Sequence, residues 1–598
     1  MNAFSPARRE LLRASSLGMA GAALPAVSFA AQSAAGGGPV SSSAALFSVR
    51  QYGATGDGKT LDTDAVNRAI DAASAAGGGL VLFPAGTYLC FSIHLKSQVH
   101  LHLEQGSVIL AAESPKPGDS TGYNGGAYDP AEPNTAWDAY QDYGHNHWHN
   151  SLIWGEDIHD FSITGPGLIF GKGLSFGLGP APAPSTILRG FGSEPVNPNV
   201  HSIPARHFAP RGDYPMYQAE QPGVGNKAIA LKNCRNVLLR DFSVLKGGHF
   251  CLLATGVDNL TIDNVKLDTD RDGFDIDCCQ NIRVSNCTVN SPWDDGICPK
   301  SSYALGYARP TRNLTIANCY VTGCYQLGTV LDGSWKRFPA GAHANGIGRI
   351  KFGTESNGGF INIAITGCVF EGCHGYALET VDGALLEDFA ISNTTMRDLT
   401  APPLFLRLGA RLRGPKESTK VGTLRRVIVD NLVCHNAPVE FSSILSGIPG
   451  YNIEDVRLAN IYIENAAPET FVGTGNTIQI TKDLSALALP TPAEPPEKED
   501  AYPEPTMFGP TPSSGFFFRH IRNLEMSHVE IANTTPDARP AFYLSDVDRA
   551  DFFAVTAPRT AAANANAAFA LHNVRDLRIA FSRAASDTIL SSADNKVL

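Results

Sequence analysis

Asn259-Leu-Thr-Ile-Asp-Asn264 and Asn281-Ile-Arg-Val-Ser-Asn286 are two copies of one pattern, set 22 residues apart. Each opens on Asn, alternates apolar and polar positions, and closes on a second Asn. The alternation is that of a strand with one buried face. Neighbouring copies start at Asn236, Asn313 and Asn362, and later ones at Asp388, Arg426, Asp455, Asn523 and Asp576. The shortest spacings are 22 to 26 residues, with insertions in the longer gaps. A period of that size is one coil of a solenoid, because a strand pair so short buries its apolar face only against copies of itself. The recurring Asn or Asp suits a left-handed backbone position and local hydrogen bonding. The expected fold is all-β: a right-handed parallel β-helix with one strand of each kind per coil. A β-propeller needs blades nearer ~40 residues with several hairpins each, so the spacing speaks against it.

Working outward, Asp62-Thr-Asp-Ala-Val-Asn-Arg-Ala-Ile-Asp-Ala-Ala73 follows a Gly-rich turn and stops at Gly77-Gly-Gly79. It reads as a helix capped by Asp62 or Thr63 that covers the first coil. Residues 112–150, 176–226 and 485–515 interrupt the repeat as long loops on a β-helix domain spanning 47–598. The Pro-rich third loop also suits a linker, but repeat copies resume after it, so a loop lying on the same solenoid is expected. The first two loops are expected to wall one end of a groove and favour action at chain ends.

The whole chain has 598 residues, 43% hydrophobic and 18% charged, with 58 Gly and 39 Pro. That composition excludes a disordered or fibrous protein and asks for many turns. Four domains of about 150 residues would be the ordinary expectation, which a stacking repeat overrides. A net charge of −11 gives no footprint for nucleic acid. Arg8-Arg9, an apolar run from Ala14 to Val27 and the small residues around Ala30 read as a twin-arginine signal over 1–30. A flexible segment over 31–46 follows. Removal of the signal takes the charge to −13, since three Arg and one Glu leave with it. The mature protein is expected in the periplasm or outside the cell, with no further membrane contact. Twelve cysteines are too dilute for a disulfide scaffold and lack paired CxxC spacing, so they read as stacked core thiols.

Repeats superpose equivalent positions, and two acidic segments lie one coil apart: Asp270-Arg-Asp272-Gly and Trp293-Asp294-Asp295-Gly. Asp272, Asp294 and Asp295 are therefore expected to crowd together. Like charges in a small space raise at least one pKa, which supplies a general acid beside an ionised base. Hydrolysis of a glycosidic bond needs that pair. Alternate residues of a strand share a face, so Arg349 and Lys351 project together and are candidate anchors for a carboxylated sugar, with Lys300 and Arg407 adding positive charge. Trp293, beside Asp294, is the best aromatic candidate for stacking on a sugar ring. Asp332, Glu379 and Asp382 are further acidic candidates. His145-Asn-His147-Trp-His149 places three histidines at alternate positions, which on one strand face would suit zinc, although a polar binding loop is the preferred reading. No metal or other cofactor is expected.

These residues resemble glycoside hydrolase family 28, the polygalacturonases and their relatives. Val49-Arg-Gln-Tyr-Gly-Ala-Thr-Gly-Asp-Gly-Lys-Thr-Leu-Asp-Thr-Asp64 and Val81-Leu-Phe-Pro-Ala-Gly-Thr-Tyr88 look like the entrance to many pectin-active β-helices. Ser151-Leu-Ile-Trp-Gly-Glu156 is similar to a segment of bacterial members. Asp270-Arg-Asp-Gly273 stands for the family's Asn-Thr-Asp motif, Asp294-Asp295 for Asp-Asp, and Arg349-Ile-Lys351 for Arg-Ile-Lys. The resemblance implies an inverting hydrolase of galacturonan or rhamnogalacturonan. It makes Asp294 the acid and Asp272 with Asp295 the activators of water, with Arg349 and Lys351 on the substrate carboxylate. An inverting pair stands about 6.5–9.5 Å apart. The chain departs from the family in lacking Gly-His-Gly between the second and third motifs, where Cys324-Tyr-Gln326-Leu-Gly328 stands and Gln326 is the substrate-binding candidate. A calcium-dependent lyase on the same fold, with calcium held by Asp272, Asp294 and Asp295, and a non-catalytic carbohydrate-binding solenoid are the alternatives.

Overall fold

Every position that opens a copy of the repeat holds left-handed backbone. Asn236, Asn259, Asn281, Asn313, Asn362, Asp388, Arg426, Asp455, Asn523 and Asp576 have φ between 47° and 63°. Asn and Asp adopt that region at least cost after Gly, which is why they recur there. From Asn259 to Asn362 their side chains bond across coils rather than locally, each amide donating to the equivalent residue of the preceding coil. Asn259 donates to Asn236 at 2.9 Å, Asn281 to Asn259 at 3.3 Å, Asn313 to Asn281 at 2.9 Å and Asn362 to Asn313 at 2.8 Å. The local bond is replaced because parallel strands place identical side chains about 4.8 Å apart, within reach of one another.

The structure, a computed structural model, describes residues 45–116, 118–141, 145–175, 221–269, 271–327, 329–337, 346–438, 441–466, 494–535, 537–558, 560–562 and 565–598. Within Ala45–Leu598 each regular coil carries three parallel strands. In one coil they are Lys227–Lys232, Arg235–Arg240 and Ser243–Leu245. The coils stack in register into three faces, as the expected parallel β-helix requires. On the second face Val237, Leu260, Ile282, Leu314, Ile363, Phe389, Val427 and Val456 form one column of facing pairs. All eight are at most 2% exposed. Burying each such side chain contributes about 1.5–3 kcal/mol, so the interior column is the main cohesive element.

The helix forms over Thr63–Ala75 and buries Ala65, Val66, Ala69, Ile70 and Ala73. Asp62 stands at its N-cap position but makes no capping bond. Its carboxylate instead accepts the backbone N–H of Thr55 and Gly56, at 2.7 and 2.9 Å, and ties down the preceding turn. At the other end, Phe569–Ala580 is covered on its free edge by antiparallel Thr588–Ala593 and Lys596–Val597, which blunts an otherwise exposed strand. All twelve cysteines are free thiols, and eleven are buried.

The face that matters below is the first. Its strands run in the order Ile153–Glu156, Lys227–Lys232, Phe250–Thr255, Asp272–Asp277 and Ile297–Lys300. The bridge Ile297 to Ile350 continues the ladder to Lys351–Phe352, Tyr376–Thr380, Leu404–Leu408, Ser443–Ser446 and the start of Phe516–Asn533. Ile229, Leu252, Phe274, Ile297 and Ile350 point inward along it. Intervening residues therefore point out, among them Asp275, Asp277 and Lys300 and, on either side of Ile350, Arg349 and Lys351.

Candidate active site

Pairing of Phe274 with Ile297 sets Asp272 level with Asp295 on the next rung, and Gly273 N–H donates to the Asp295 carbonyl at 3.0 Å. One carboxylate oxygen from each of Asp272, Asp294 and Asp295 lies within 4.8 Å of the others. The three residues converge as the repeat implies. The distance between neighbouring rungs brings their nearest oxygens this close.

The environments of the three differ. Asp272 is 4% exposed, and burial reinforced by Asp275 and Asp294 pushes its carboxyl well above the usual range. Burial pushes Asp295 up too, but Arg349, Lys351 and Lys300 overcome this and hold it well below. Arg349 Nε donates to Asp295 Oδ1 at 2.7 Å, and Lys351 Nζ stands 3.2 Å from Oδ2. Asp294 Oδ2 accepts Arg271 Nε at 3.2 Å and Nη2 at 2.7 Å, while Oδ1 accepts the Asp295 N–H. The surroundings thus favour the protonated form on one rung and the ionised form on the next, the division of labour that general acid–base chemistry requires.

Arg349 and Lys351 share a face as expected, with Ile350 inside. They are not open anchors. Both are 2% exposed; Arg349 pairs with Glu504 besides Asp295, and Lys351 lies 3.9 Å from Glu379 and donates to the Tyr502 hydroxyl at 3.2 Å. Lys300 is also buried, 3.4 Å from Asp275 and 3.4 Å from Glu355. Arg407 does not join the trio, because it donates to Ser446 Oγ and to the carbonyls of Gly447, Glu497 and Lys498. Trp293 is 7% exposed and packed, which removes it as an open stacking platform. Gln326 lies in the strand Tyr325–Leu327, and its side chain is outside the described residues, as is Asp270. Asp332 sits in an exposed turn accepting the Ser334 N–H, and Asp382 is paired with Arg411.

Two walls flank the trio along the helix axis. Trp148 packs over Ala230, Phe250 and Leu253, and its indole donates to Thr255 Oγ1 at 2.9 Å, one rung before Asp272–Asp277. On the other side the segment 494–508 lies across the same face. Glu504 and Tyr502 meet Arg349 and Lys351, and Phe508 sits on Phe405 and Phe517 at ring separations of 6.3 and 6.4 Å. Between them, among the described residues, lie Asp272–Asp277 and Ile297–Lys300, a stretch of about 10 Å at one rung per ~4.8 Å. The first wall falls in an expected loop. The second comes from the Pro-rich segment, whose contact with this face the sequence does not disclose.

The histidines of 145–149 are not on a strand and do not share a site. His145 is buried 3.6 Å from Glu355, where desolvation pushes it down to about 3, and His147 bonds Asn134 at 3.1 Å. His149 stands 2.8 Å from Glu156 and 3.6 Å from Glu132; these three, like the Asp trio, offer ligand atoms close enough to hold a cation. Lys232 already neutralises Glu156 at 2.8 Å. Glu379, one of the further acidic candidates, is raised to about 8 chiefly by burial; residues that sequence reasoning misses are Asp275, likewise raised to about 8, and Arg271 as a partner of Asp294. Asp275 is legible as the outward neighbour of Asp277 on the strand. His374, in Cys373-His-Gly375, lies beside Arg349 and Asp295 one coil after the Arg-Ile-Lys segment.

Residues 46–107 match the family model described as "Rhamnogalacturonase A/epimerase, pectate lyase-like", and residues 227–398 match "Right handed beta helix region". A probable polygalacturonase of Vitis vinifera is 25% identical over 276 residues, 45% of this chain and 48% of that protein. Plasmin and fibronectin-binding protein A of Streptococcus pneumoniae is 52% identical over 65 residues, 10% of this chain and 9% of that protein. The chain thus spans under half the length of these relatives. Among solved structures, a hyperthermoactive exopolygalacturonase from Thermotoga maritima superposes with a TM-score of 0.51 at 18% identity, covering 70% of this chain and 87% of that one. The fold is the right-handed parallel β-helix.

Proposed function

We propose that this chain is a glycoside hydrolase of the polygalacturonase type, a member of family 28, that cleaves glycosidic bonds of pectin-type, uronic-acid-containing chains from their ends. The observation that carries this reading is the convergence of three carboxyls in unlike surroundings: burial and neighbouring acids favour the protonated form of Asp272, while Arg349 and Lys351 against Asp295 favour its ionised form. Asp294 completes the trio at the more exposed edge, with its side chain 24% accessible. Bond cleavage needs a proton for the leaving oxygen and a base for water, and the trio supplies both within one pocket. The walls at Trp148 and at 502–504 support action at chain ends, since a polymer running along the face meets both. The polygalacturonase relative supports the substrate class. We also propose that 1–30 is a twin-arginine signal, that the protein works outside the cytoplasm, and that 47–598 is one catalytic domain.

The mature protein is incubated with homogalacturonan and with rhamnogalacturonan under chelation, beside Asp294→Asn, and products are read by mass. Saturated monomers or dimers released by the wild type and absent with the variant support the proposal. The same trio offers ligand atoms near enough for a cation, which favours the calcium-dependent lyase as second reading. Unsaturated, ultraviolet-absorbing products that need added calcium would establish it instead. Binding of either polymer without any product leaves the non-catalytic solenoid.

A further inference from the structure

A uronic-acid chain brings one carboxylate per sugar, and a pocket lined by carboxylates must meet it with an available cation. The four cations around the trio are unequal in this respect. Side-chain exposure is 2% for Arg349, 3% for Lys351 and 6% for Lys300, against 20% for Arg271. Arg349 is shared between Asp295 and Glu504, and Lys351 between Asp295, Glu379 and Tyr502. Withdrawing either would strand a buried charge, which is far more costly than breaking a part-exposed pair.

Arg271 is placed differently. Two of its N–H groups converge on a single oxygen of Asp294, so the guanidinium is not in the side-on, two-oxygen geometry that gives the strongest Arg–carboxylate contact. Both partners are at the open edge, 20% and 24% exposed. A carboxylate arriving from solvent can offer both oxygens to the same fork. We infer that Arg271 binds the carboxylate of the substrate sugar, exchanging its single-oxygen pairing with Asp294 for a two-oxygen one with the substrate. Arg271 is then the determinant of specificity for acidic sugars. No bond or electron changes hands in this step; an ion pair is exchanged. The inference rests on the glycosidase reading and names the contact that gives it its substrate class.

The test crosses two enzymes with two substrates: wild type and Arg271→Gln, each with a galacturonate oligomer and with its methyl ester, which lacks the charge. Wild type is expected to lose about 10- to 100-fold in kcat/KM on esterification, the size of one charged hydrogen-bonded contact. Arg271→Gln is expected to lose as much on the acid and nothing further on the ester, with Arg271→Lys in between. A variant that falls equally on both substrates overturns the inference, as does a wild type indifferent to esterification. Calorimetric titration of the galacturonate oligomer adds a readout free of turnover, and equal affinity of wild type and Arg271→Gln also overturns it. Failure of the underlying reading shows elsewhere: wild type would release no product from either oligomer, or Asp294→Asn would remain active.

Discussion

The first face carries two clusters of buried charge only a few rungs apart, and they are built on opposite terms. Toward the C-terminus, Arg407 and Arg519 lie beneath the segment 494–508 and are 1% exposed. Their guanidinium groups are satisfied by the backbone carbonyls of Glu497, Lys498, Pro495 and Pro496 and flank the Phe508 ring at 5.3 and 5.4 Å. Beside the trio, Asp275 and Glu379 are buried against Lys300 at 3.4 Å and Lys351 at 3.9 Å, and burial still raises both carboxyls to about 8. One cluster holds a strap in place; the other packs carboxyls and cations together in a buried face. Perturbed titratable groups gather where chemistry is placed.

The largest expected effect breaks the chemical cluster without touching the strap. Asp294→Asn should lower kcat by about 10²–10⁴-fold, the range for a lost acid or base, while the melting temperature stays near that of the wild type. Steady-state kinetics beside thermal denaturation checks both halves. In the structural cluster the expectation reverses. Phe508→Ala should cost about 3–5 kcal/mol in stability, read by urea denaturation, since a ring 3% exposed between two aromatics leaves a cavity. Loss of that seat should also loosen Tyr502 and Glu504 and admit mid-chain cleavage, visible as longer early products.

Titration separates the clusters a third way. Asp275 and Glu379 are protonated in the folded protein at pH values where the unfolded chain has released the proton. Between the ordinary carboxylate range and about 8 the folded state therefore binds more protons, and stability falls as pH rises. Asp275→Asn should flatten that slope, measured as unfolding free energy at pH 5, 6, 7 and 8 (roughly the interval between those two limits). The smallest expected effect lies on neither cluster. Asn281→Ala removes one rung of the amide ladder at a left-handed position and should cost about 1–2 kcal/mol, with activity unchanged.

Much of this molecule was legible in one dimension. A period of 22 to 26 residues reports stacking directly, because each coil is a local unit whose neighbour in sequence is its neighbour in space. The strand faces, the capping helix, the convergence of Asp272 with Asp294 and Asp295, and the shared side of Arg349 and Lys351 all follow from that regularity. Tertiary structure alone decided which groups those residues meet. Glu504 reaches Arg349 across 155 positions, and Trp148 covers Thr255 across 107, through loops with no period to read. Whether a cation faces solvent or a buried carboxylate, and whether a carboxyl keeps its proton, depends on that enclosure. Local pattern determines which side of the sheet a residue takes; burial and charge from distant segments determine what it can do there.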